Sequence, residues 1–166
     1  EETAKTSDPD YTVISTWAVT PRNDLLWIDC HRFRLETPDI VPQIQSVYSL
    51  YHPLFVAIEA VAANRAVFQI ARRTTMNVKE LSPGGKDKLV RATPAMVMAE
   101  AGRLYLPESA HWLEDALSEL LRFTGDSKKD SHDDIVDSLS WACVCMDEFS
   151  GDNEGLPLVL GERTRR

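Results

Sequence analysis

The sequence lacks the features that would place a protein in a membrane or direct it out of the cell. None of its apolar runs approaches the roughly 20 residues that span a bilayer. Its N-terminal residues do not have the basic-then-apolar pattern of a signal peptide. The chain also begins at Glu1 rather than at a methionine. We therefore expect one globular domain of 166 residues that belongs to a longer polypeptide.

Cysteine is scarce, and no zinc motif is present. The cysteines, Cys30, Cys143 and Cys145, are odd in number, and no pair has the CxxC spacing. Because Cys143 and Cys145 lie two apart on a predicted helix, their side chains point in different directions. We expect buried free thiols in a reducing compartment. With no cluster of cysteine and histidine, the sequence argues against a zinc site.

The sequence has no nucleotide-binding loop, and its net charge is acidic. Gly84 and Gly85 precede Lys86 without the GxxxxGK[ST] spacing, so we expect no nucleotide in this domain. The net charge of −8 argues against strong, autonomous binding to nucleic acid. Basic residues nevertheless concentrate in the middle of the chain. This asymmetry predicts a phosphate-facing surface, and the alternative is a solvated helix face. The residues are Arg72, Arg73, Lys79, Lys86, Lys88, Arg91 and Arg103.

Residue periodicity predicts a mixed α/β fold. β-branched and aromatic residues predict strands over 11–20 and 25–34, joined as a hairpin. In the second strand we expect one regular alternation, with Trp27, Asp29 and His31 on the same face. Helices alternate with strands after the hairpin, which predicts a mixed sheet with helices on its faces. The later elements are a helix capped by Thr37, a buried strand over 54–59, a helix over 60–73, a weak strand over 76–81, a helix over 86–101 that Pro94 kinks or splits, a short strand over 103–106, a helix over 109–123 and a helix ending near residue 148.

Two groups of acidic residues suggest a function. Asp133, Asp134 and Asp137 lie at the start of the last helix, where one or two carboxylates would serve as caps. Carboxylates this close repel one another unless a cation lies between them, which favours a divalent-metal site. Glu59 ends the buried strand, at the edge where open α/β sheets place their ligand sites. The alternative is a glutamate that turns out to solvent.

If the two acidic groups converge, they can hold metal ions with oxygen ligands. Paired Mg²⁺ or Mn²⁺ ions about 4 Å apart activate a water molecule and stabilise the leaving oxygen of a phosphodiester. His132 precedes the aspartates. It either orders a water molecule or contacts the scissile phosphate, or it is an ordinary loop histidine.

Five segments follow one another in an order that is known from one protein family. They are 7–13 with its Asp-Tyr-Thr sequence, 56–59 ending in Glu59, the basic helix and short strand over 86–104, the helix over 112–123, and the His-Asp-Asp helix over 132–139. Together they resemble the C-terminal nuclease domain of the large terminase subunit of tailed phages. The resemblance implies an RNase H-like mixed β-sheet flanked by helices over 1–149. A C-terminal tail over 150–166 would follow.

The resemblance also implies an activity and its residues. The activity is a metal-dependent endonuclease that uses Mg²⁺ or Mn²⁺ to cut concatemeric double-stranded DNA during viral genome packaging in the host cell cytoplasm. The implied partners are double-stranded DNA, an N-terminal ATPase domain in the same polypeptide, the portal and the small terminase subunit, with no membrane. The implied metal ligands are Glu59, Asp134 and Asp133, with Asp137 as a further catalytic residue and His132 as an auxiliary one. The implied DNA-binding residues are Arg72, Arg73, Lys79, Lys86, Lys88 and Arg91.

One residue of the family pattern has no counterpart in the chain. The first catalytic aspartate of the family lies on a strand just before the loop that resembles residues 1–10. We expect that strand upstream of residue 1, and the alternative is an incomplete site. Two alternative functions stay open. One is a RuvC-like Holliday-junction resolvase, because Asp134 and Asp137 fit an Asp-x-x-Asp helix. The other is a nuclease-inactive domain that docks on the portal or on DNA.

Overall fold

The chain folds into a mixed α/β domain. This computed structural model describes residues 11–61, 64–126, 129–130 and 133–152. Its strands and helices confirm the predicted α/β class and the predicted order of elements. No helix among the described residues is long and apolar enough to cross a membrane. In chain order the elements are β1 (Thr12–Val19), β2 (Leu25–Phe33), α1 (Thr37–Tyr51), β3 (Val56–Glu59), α2 (Asn64–Ala71), β4 (Val78–Leu81), α3 (Lys88–Glu100), β5 (Leu104–Tyr105), α4 (Leu113–Arg122) and α5 (Asp134–Asp152).

β1 and β2 form the predicted antiparallel hairpin, but its alternation contains a break. Thr16 pairs with Asp29 whereas Trp17 pairs with Trp27, so Ile28 is an extra residue on β2. This β-bulge shifts the strand by one residue, which moves the following side chains to the opposite face. Trp27 and Cys30 are therefore both buried, and Ile28 is 41% exposed. The single alternation predicted for β2 is wrong for this reason.

The described strands form two sheets. β5 runs parallel to β2, which gives the sheet order β1-β2-β5. β3 and β4 form a separate parallel pair in which Glu59 lies opposite Leu81. Among the described strands, β1 has a partner on one edge only, and so has β3. All eight residues of β1 are partly exposed. Ile14 of β1 nevertheless packs against the same hydrophobic cluster as Ile58 of β3, so the two sheets share a core.

The helices bury their apolar faces in three clusters. The first joins α1 and α2 to β3 and contains Ile40, Val41, Ile44, Ile58, Ala60, Val67, Phe68, Ala71 and Met76. The second joins α3 and α5 to β2 and contains Leu25, Ala95, Met98, Leu139, Cys143 and Met146. The third joins α4 and α5 to β2 and contains Trp27, Cys30, Trp112, Ala116 and Ile135. α5 therefore lies between α3 and α4, with its apolar stripe against the hairpin.

Aromatic stacking and buried thiols complete this core. The ring centroids of Trp17 and Trp27 are 4.6 Å apart, and those of Trp27 and Trp112 are 4.7 Å apart. Such pairs add about 0.5–1.5 kcal/mol beyond their buried area. Cys30, Cys143 and Cys145 are buried, which confirms their predicted burial.

Two helix starts differ from the sequence-based prediction. Thr37 lies within α1, and Glu36 takes the capping position without a side-chain hydrogen bond. Asp87 caps α3 by accepting the N–H of Leu89 at 2.8 Å. Pro94 does not split α3, which runs from Lys88 to Glu100. A proline lacks the N–H that would bond to the carbonyl four residues back, and Val90 lies at that position on an exposed part of the helix.

Candidate functional site

Glu59 lies at the predicted position, at the C-terminal end of β3. The parallel pairing of β3 with β4 continues to this residue, because the N–H of Ala60 donates to the carbonyl of Leu81 at 3.1 Å. The backbone that carries Glu59 is therefore fixed by the sheet. Its side chain is 23% exposed, so the carboxylate lies at the surface of the core and needs only partial compensation for burial.

Two basic residues of α3 connect Glu59 to the acidic start of α5. The Nη2 atom of Arg91 donates to Oδ1 of Asp137 at 2.8 Å, and its Nη1 atom lies 3.8 Å from Oε1 of Glu59. The Nζ atom of Lys88 donates to Oδ2 of Asp133 and lies 3.5 Å from Oδ2 of Asp137. Helical spacing explains the match, because Lys88 and Arg91 are three apart on α3 and their partners four apart on the chain. We call Glu59, Lys88, Arg91, Asp133 and Asp137 the ion-pair cluster.

Arg91 lies at the centre of this cluster. Its side chain is only 10% exposed, and its guanidinium carbon lies 5.7 Å from the centroid of the Trp141 ring. Its buried Nε atom has no hydrogen-bond acceptor among the residues that the structure describes. An unpaired donor in a buried position is costly unless a further acceptor completes it. The Nε–H of Arg91 can therefore donate one further hydrogen bond if an oxygen atom comes within reach.

The electrostatics of Lys88 follow from its partners. Burial disfavours its charged form, but the hydrogen bond to Asp133 and the charge of Asp137 outweigh burial and raise the pKa of Lys88. Lys88 therefore stays protonated and neutralises the two aspartates. The sequence predicted a divalent metal ion at these carboxylates, whereas in the structure the ammonium group of Lys88 lies beside Asp133 and Asp137.

A buried glutamate caps α5, and the sequence analysis missed it. Glu119 of α4 is 6% exposed, and its Oε1 atom accepts the N–H groups of Ile135 at 2.7 Å and Val136 at 3.4 Å. Burial raises the pKa of Glu119, although the Ile135 N–H and Arg32 offset part of this effect. The one signal in the sequence was an acidic residue among the apolar positions of an amphipathic helix.

Arg32 of β2 joins this cap to Asp134. Its Nη1 atom lies 3.2 Å from Oε2 of Glu119, and its Nη2 atom lies 3.6 Å from Oδ2 of Asp134. Asp134 therefore faces Arg32, whereas Asp133 and Asp137 face Lys88 and Arg91. Because Glu119 accepts the first N–H groups of α5, capping does not explain why the helix begins with several aspartates.

Of the other predicted residues, four are exposed basic side chains and His132 lies outside the described residues. Arg72, Arg73, Lys79 and Lys86 are exposed. Arg72 lies over the ring of Phe68 and Lys79 over the ring of Phe55. Their predicted contact with DNA stays a prediction. His132 and residues 153–166 of the predicted tail lie outside the described residues, and 150–152 form the end of α5.

The donor chemistry of the cluster suits Mg²⁺ or Mn²⁺, but the set of ligands is not assembled. All candidate donors are carboxylate oxygens, which these hard cations prefer. Among the described residues, however, no group of three or more aspartate, glutamate, histidine or cysteine side chains is arranged to hold an ion. Lys88 and Arg91 form ion pairs with these carboxylates instead. Bound metal would therefore need a rearrangement of these cations, a further ligand, or both.

The fold and the site define a class of protein. A mixed α/β fold with carboxylates from a strand end and from the start of a late helix is the arrangement expected of an RNase H-like domain. The family model of the terminase RNaseH-like domain matches residues 3–145. This chain belongs to that family, and its role is of the terminase nuclease type. A search of curated proteins finds no match.

Proposed function

We propose that this domain is a metal-dependent endonuclease that cuts concatemeric double-stranded DNA during the packaging of a viral genome. The observation that carries the proposal is that Glu59, from a strand end, and Asp137, from the start of α5, share the guanidinium of Arg91. Two carboxylates from distant parts of the chain therefore meet at one buried cation. Membership of the terminase family supports DNA as the substrate and packaging as the context.

The proposed ligands of Mg²⁺ or Mn²⁺ are Glu59, Asp133 and Asp134, with Asp137 as a further catalytic carboxylate. When bound, one or two such ions supply an activated water molecule and stabilise the leaving oxygen of the phosphodiester. Lys88 and Arg91 hold the carboxylates close together while no ion neutralises them. Once the carboxylates bind an ion, both side chains can donate to phosphate oxygens.

We also propose that a strand preceding residue 1 lies between β1 and β3 and carries a further acidic ligand. The unpartnered edges of these two described strands support this placement, since each leaves a row of backbone donors and acceptors available for pairing. The core shared by Ile14 and Ile58 supports it as well. Hydrogen exchange measured by NMR tests the strand. The outward amides of β1 should exchange fast in this chain and become protected when the preceding residues are added, and unchanged exchange would contradict the proposal.

A cleavage assay on supercoiled plasmid DNA tests the activity. We expect cleavage with Mn²⁺ and none with EDTA, and we expect Glu59→Gln and Asp134→Asn to abolish cleavage because each removes a metal ligand. Glu80→Gln is the matched control, since Glu80 is exposed on the neighbouring strand β4. Cleavage that persists in both variants would refute the site, and cleavage in EDTA would refute metal dependence. A strong preference for four-way junctions would favour the resolvase alternative.

The exposed basic residues are proposed to contact the DNA backbone. These residues, Arg72, Arg73, Lys79 and Lys86, are exposed. Exposed Lys and Arg side chains suit contacts with phosphate oxygens, which position a protein on DNA without reading its sequence. Replacing Arg73 or Lys86 with glutamine should weaken binding to all sequences equally and reduce the salt dependence by about one ion per residue. Fluorescence anisotropy over a range of salt concentrations measures this change. Arg122→Gln, on α4, is the control. An unchanged salt slope in the first two variants would exclude them from the interface.

The cellular setting is likewise a proposal. We place the domain in the host cell cytoplasm with an N-terminal ATPase domain in the same polypeptide, the portal and the small terminase subunit as partners. Family membership supports these assignments. Co-purification of the complete terminase with portal and small subunit tests them, and failure to associate in the presence of DNA and ATP would argue against this assembly.

A further inference from the structure

Glu119 is a buried carboxylate whose position needs an explanation. A carboxylate that is 6% exposed costs free energy unless its oxygens are paired. One oxygen accepts two backbone N–H groups of α5, and the other faces the guanidinium of Arg32 at 3.2 Å. Oε1 is therefore held by hydrogen bonds, whereas Oε2 is held by the charge of Arg32 without a hydrogen bond to any described residue. None of these partners belongs to the ion-pair cluster itself.

The base from which Glu119 extends is rigid. Ala116, one turn earlier on α4, is fully buried, and Trp112 packs against Trp27 of β2. Helix α4 is thus fixed to the hairpin on the side that faces α5. The hydrogen bonds that Glu119 accepts from the N–H groups of Ile135 and Val136 fix the first turn of α5 relative to α4. That turn carries the aspartates.

Arg32 reaches the same turn from the hairpin. The β-bulge at Ile28 brings Arg32 to the face of β2 that contacts α4 and α5. Its guanidinium carbon lies 4.1 Å from the centroid of the Tyr11 ring, which restricts its movement on the other side. Arg32 contacts both Glu119 and Asp134. It therefore links the cap of α5 to one of the proposed metal ligands.

We infer that Glu119 and Arg32 are positioning residues that hold the carboxylates at the start of α5 in the geometry that the reaction requires. This inference rests on the proposed nuclease function. Neither residue needs to touch the substrate. Groups that orient metal ligands are typically worth about 10- to 100-fold in metal affinity or activity, because ligands must be held within about 0.5 Å of their productive positions.

Three variants of the full chain separate the parts of this pair. Glu119→Ala removes the cap and the partner of Arg32. Glu119→Gln keeps an oxygen for the N–H of Ile135 but directs an amide group towards Arg32, so it removes the ion pair only. Arg32→Gln removes the same ion pair from the hairpin, where the side chain is 27% exposed and folding is less at risk. Glu114→Gln, an exposed acid on α4, is the matched control.

The readouts are Mn²⁺ affinity by titration calorimetry, and kcat and KM for plasmid cleavage at a temperature where every variant is folded. We expect the Mn²⁺ dissociation constant to rise about 10- to 100-fold and kcat to fall in Glu119→Ala, with smaller changes in Glu119→Gln and Arg32→Gln. KM for DNA should stay unchanged in these variants. Glu114→Gln should keep the Mn²⁺ affinity and kcat of the wild type. A purely structural role would lower the melting temperature without this graded loss of metal affinity.

Two results would overturn the inference. One is wild-type Mn²⁺ affinity and kcat in folded Glu119→Ala and Arg32→Gln. The other is unchanged hydrogen exchange of the Ile135 and Val136 amides in Glu119→Ala, which would mean that the cap does not hold α5. If the wild-type chain neither binds Mn²⁺ nor cuts DNA, the proposed function fails. In that case the amide exchange alone decides whether Glu119 and Arg32 hold α5.

Discussion

Replacing Arg91 with glutamine removes the guanidinium between Glu59 and Asp137. The hydrogen bond to Asp137, at 2.8 Å, joins two charged groups, and such bonds contribute about 1.5–3 kcal/mol. Removing one partner of a fully buried ion pair costs about 3–5 kcal/mol. Because the two carboxylates are each 23% exposed, water compensates part of their charge. We therefore expect the free energy of unfolding to fall by about 2–3 kcal/mol.

The assay is thermal unfolding followed by circular dichroism at neutral pH in EDTA. For a domain of this size, each kcal/mol shifts the melting temperature by about 2–4 °C, so the variant should melt about 4–12 °C below the wild type. Arg73→Gln provides the control, because Arg73 is exposed in the turn that follows α2. Exposed substitutions of this kind change stability by about 0.5 kcal/mol or less.

Addition of Mn²⁺ tests whether Arg91 and a metal ion pair with the same carboxylates. An ion at 100 times its dissociation constant stabilises the folded state by about 2.7 kcal/mol. If Glu59 and Asp137 bind the ion as proposed, the ion would compete with the guanidinium for these carboxylates in the wild type but not in Arg91→Gln. Mn²⁺ should therefore raise the melting temperature of the variant more than that of the wild type. Equal shifts, or an unchanged melting temperature of the variant in EDTA, would refute the proposed competition.

Three further predictions concern residues outside the cluster. The Tyr51 hydroxyl donates to Asp29 at 2.6 Å, which raises the pKa of Tyr51 from 10.0 to about 12. Spectrophotometric titration should show one tyrosine with this midpoint, and Tyr51→Phe should remove it; superimposable curves would contradict the hydrogen bond. The folded state keeps this proton longer than the unfolded state, so the contribution of Tyr51 to stability is full below pH 10.0 and is lost as the pH rises towards about 12. Ala116→Leu should lower the free energy of unfolding in urea by about 1–3 kcal/mol, because Ala116 is fully buried and the core has no room for the larger side chain. Leu121→Ser, at an 85% exposed position of the same helix, should change it by about 0.5 kcal/mol or less, and a larger loss would mean that Leu121 is covered in solution.

Local patterns in the sequence were sufficient to predict most elements. The apolar run before Glu59 and the 3.6-residue period of α4 depend on neighbouring residues only, and the structure contains both elements. The β-bulge at Ile28 could not be predicted in this way. It depends on how β2 registers with β1, and it reverses the face of Cys30 relative to the simple alternation.

The candidate site shows the same division. Glu59 and the aspartates of α5 were predicted because acids at strand ends and helix starts are recognisable in sequence. Glu119 and Arg32 were missed because their contacts join residues far apart along the chain. Arg91 was predicted as a DNA contact, and nothing in its helical position indicated that its side chain would lie among carboxylates. Burial of a long basic side chain is decided by tertiary packing rather than by local pattern.

The tryptophans give this domain two separate optical signals. Of the four tryptophans, Trp17, Trp27 and Trp112 form one group of neighbouring rings, and Trp141 lies beneath Arg91. These rings are close enough for their excited states to couple, so near-ultraviolet circular dichroism should report on packing within the hairpin and between the hairpin and the start of α4. The emission of Trp141 should respond instead to the charge and position of the Arg91 guanidinium, which lies 5.7 Å from its ring. Fluorescence of the wild type minus that of Trp141→Phe therefore follows events at the ion-pair cluster without any added label.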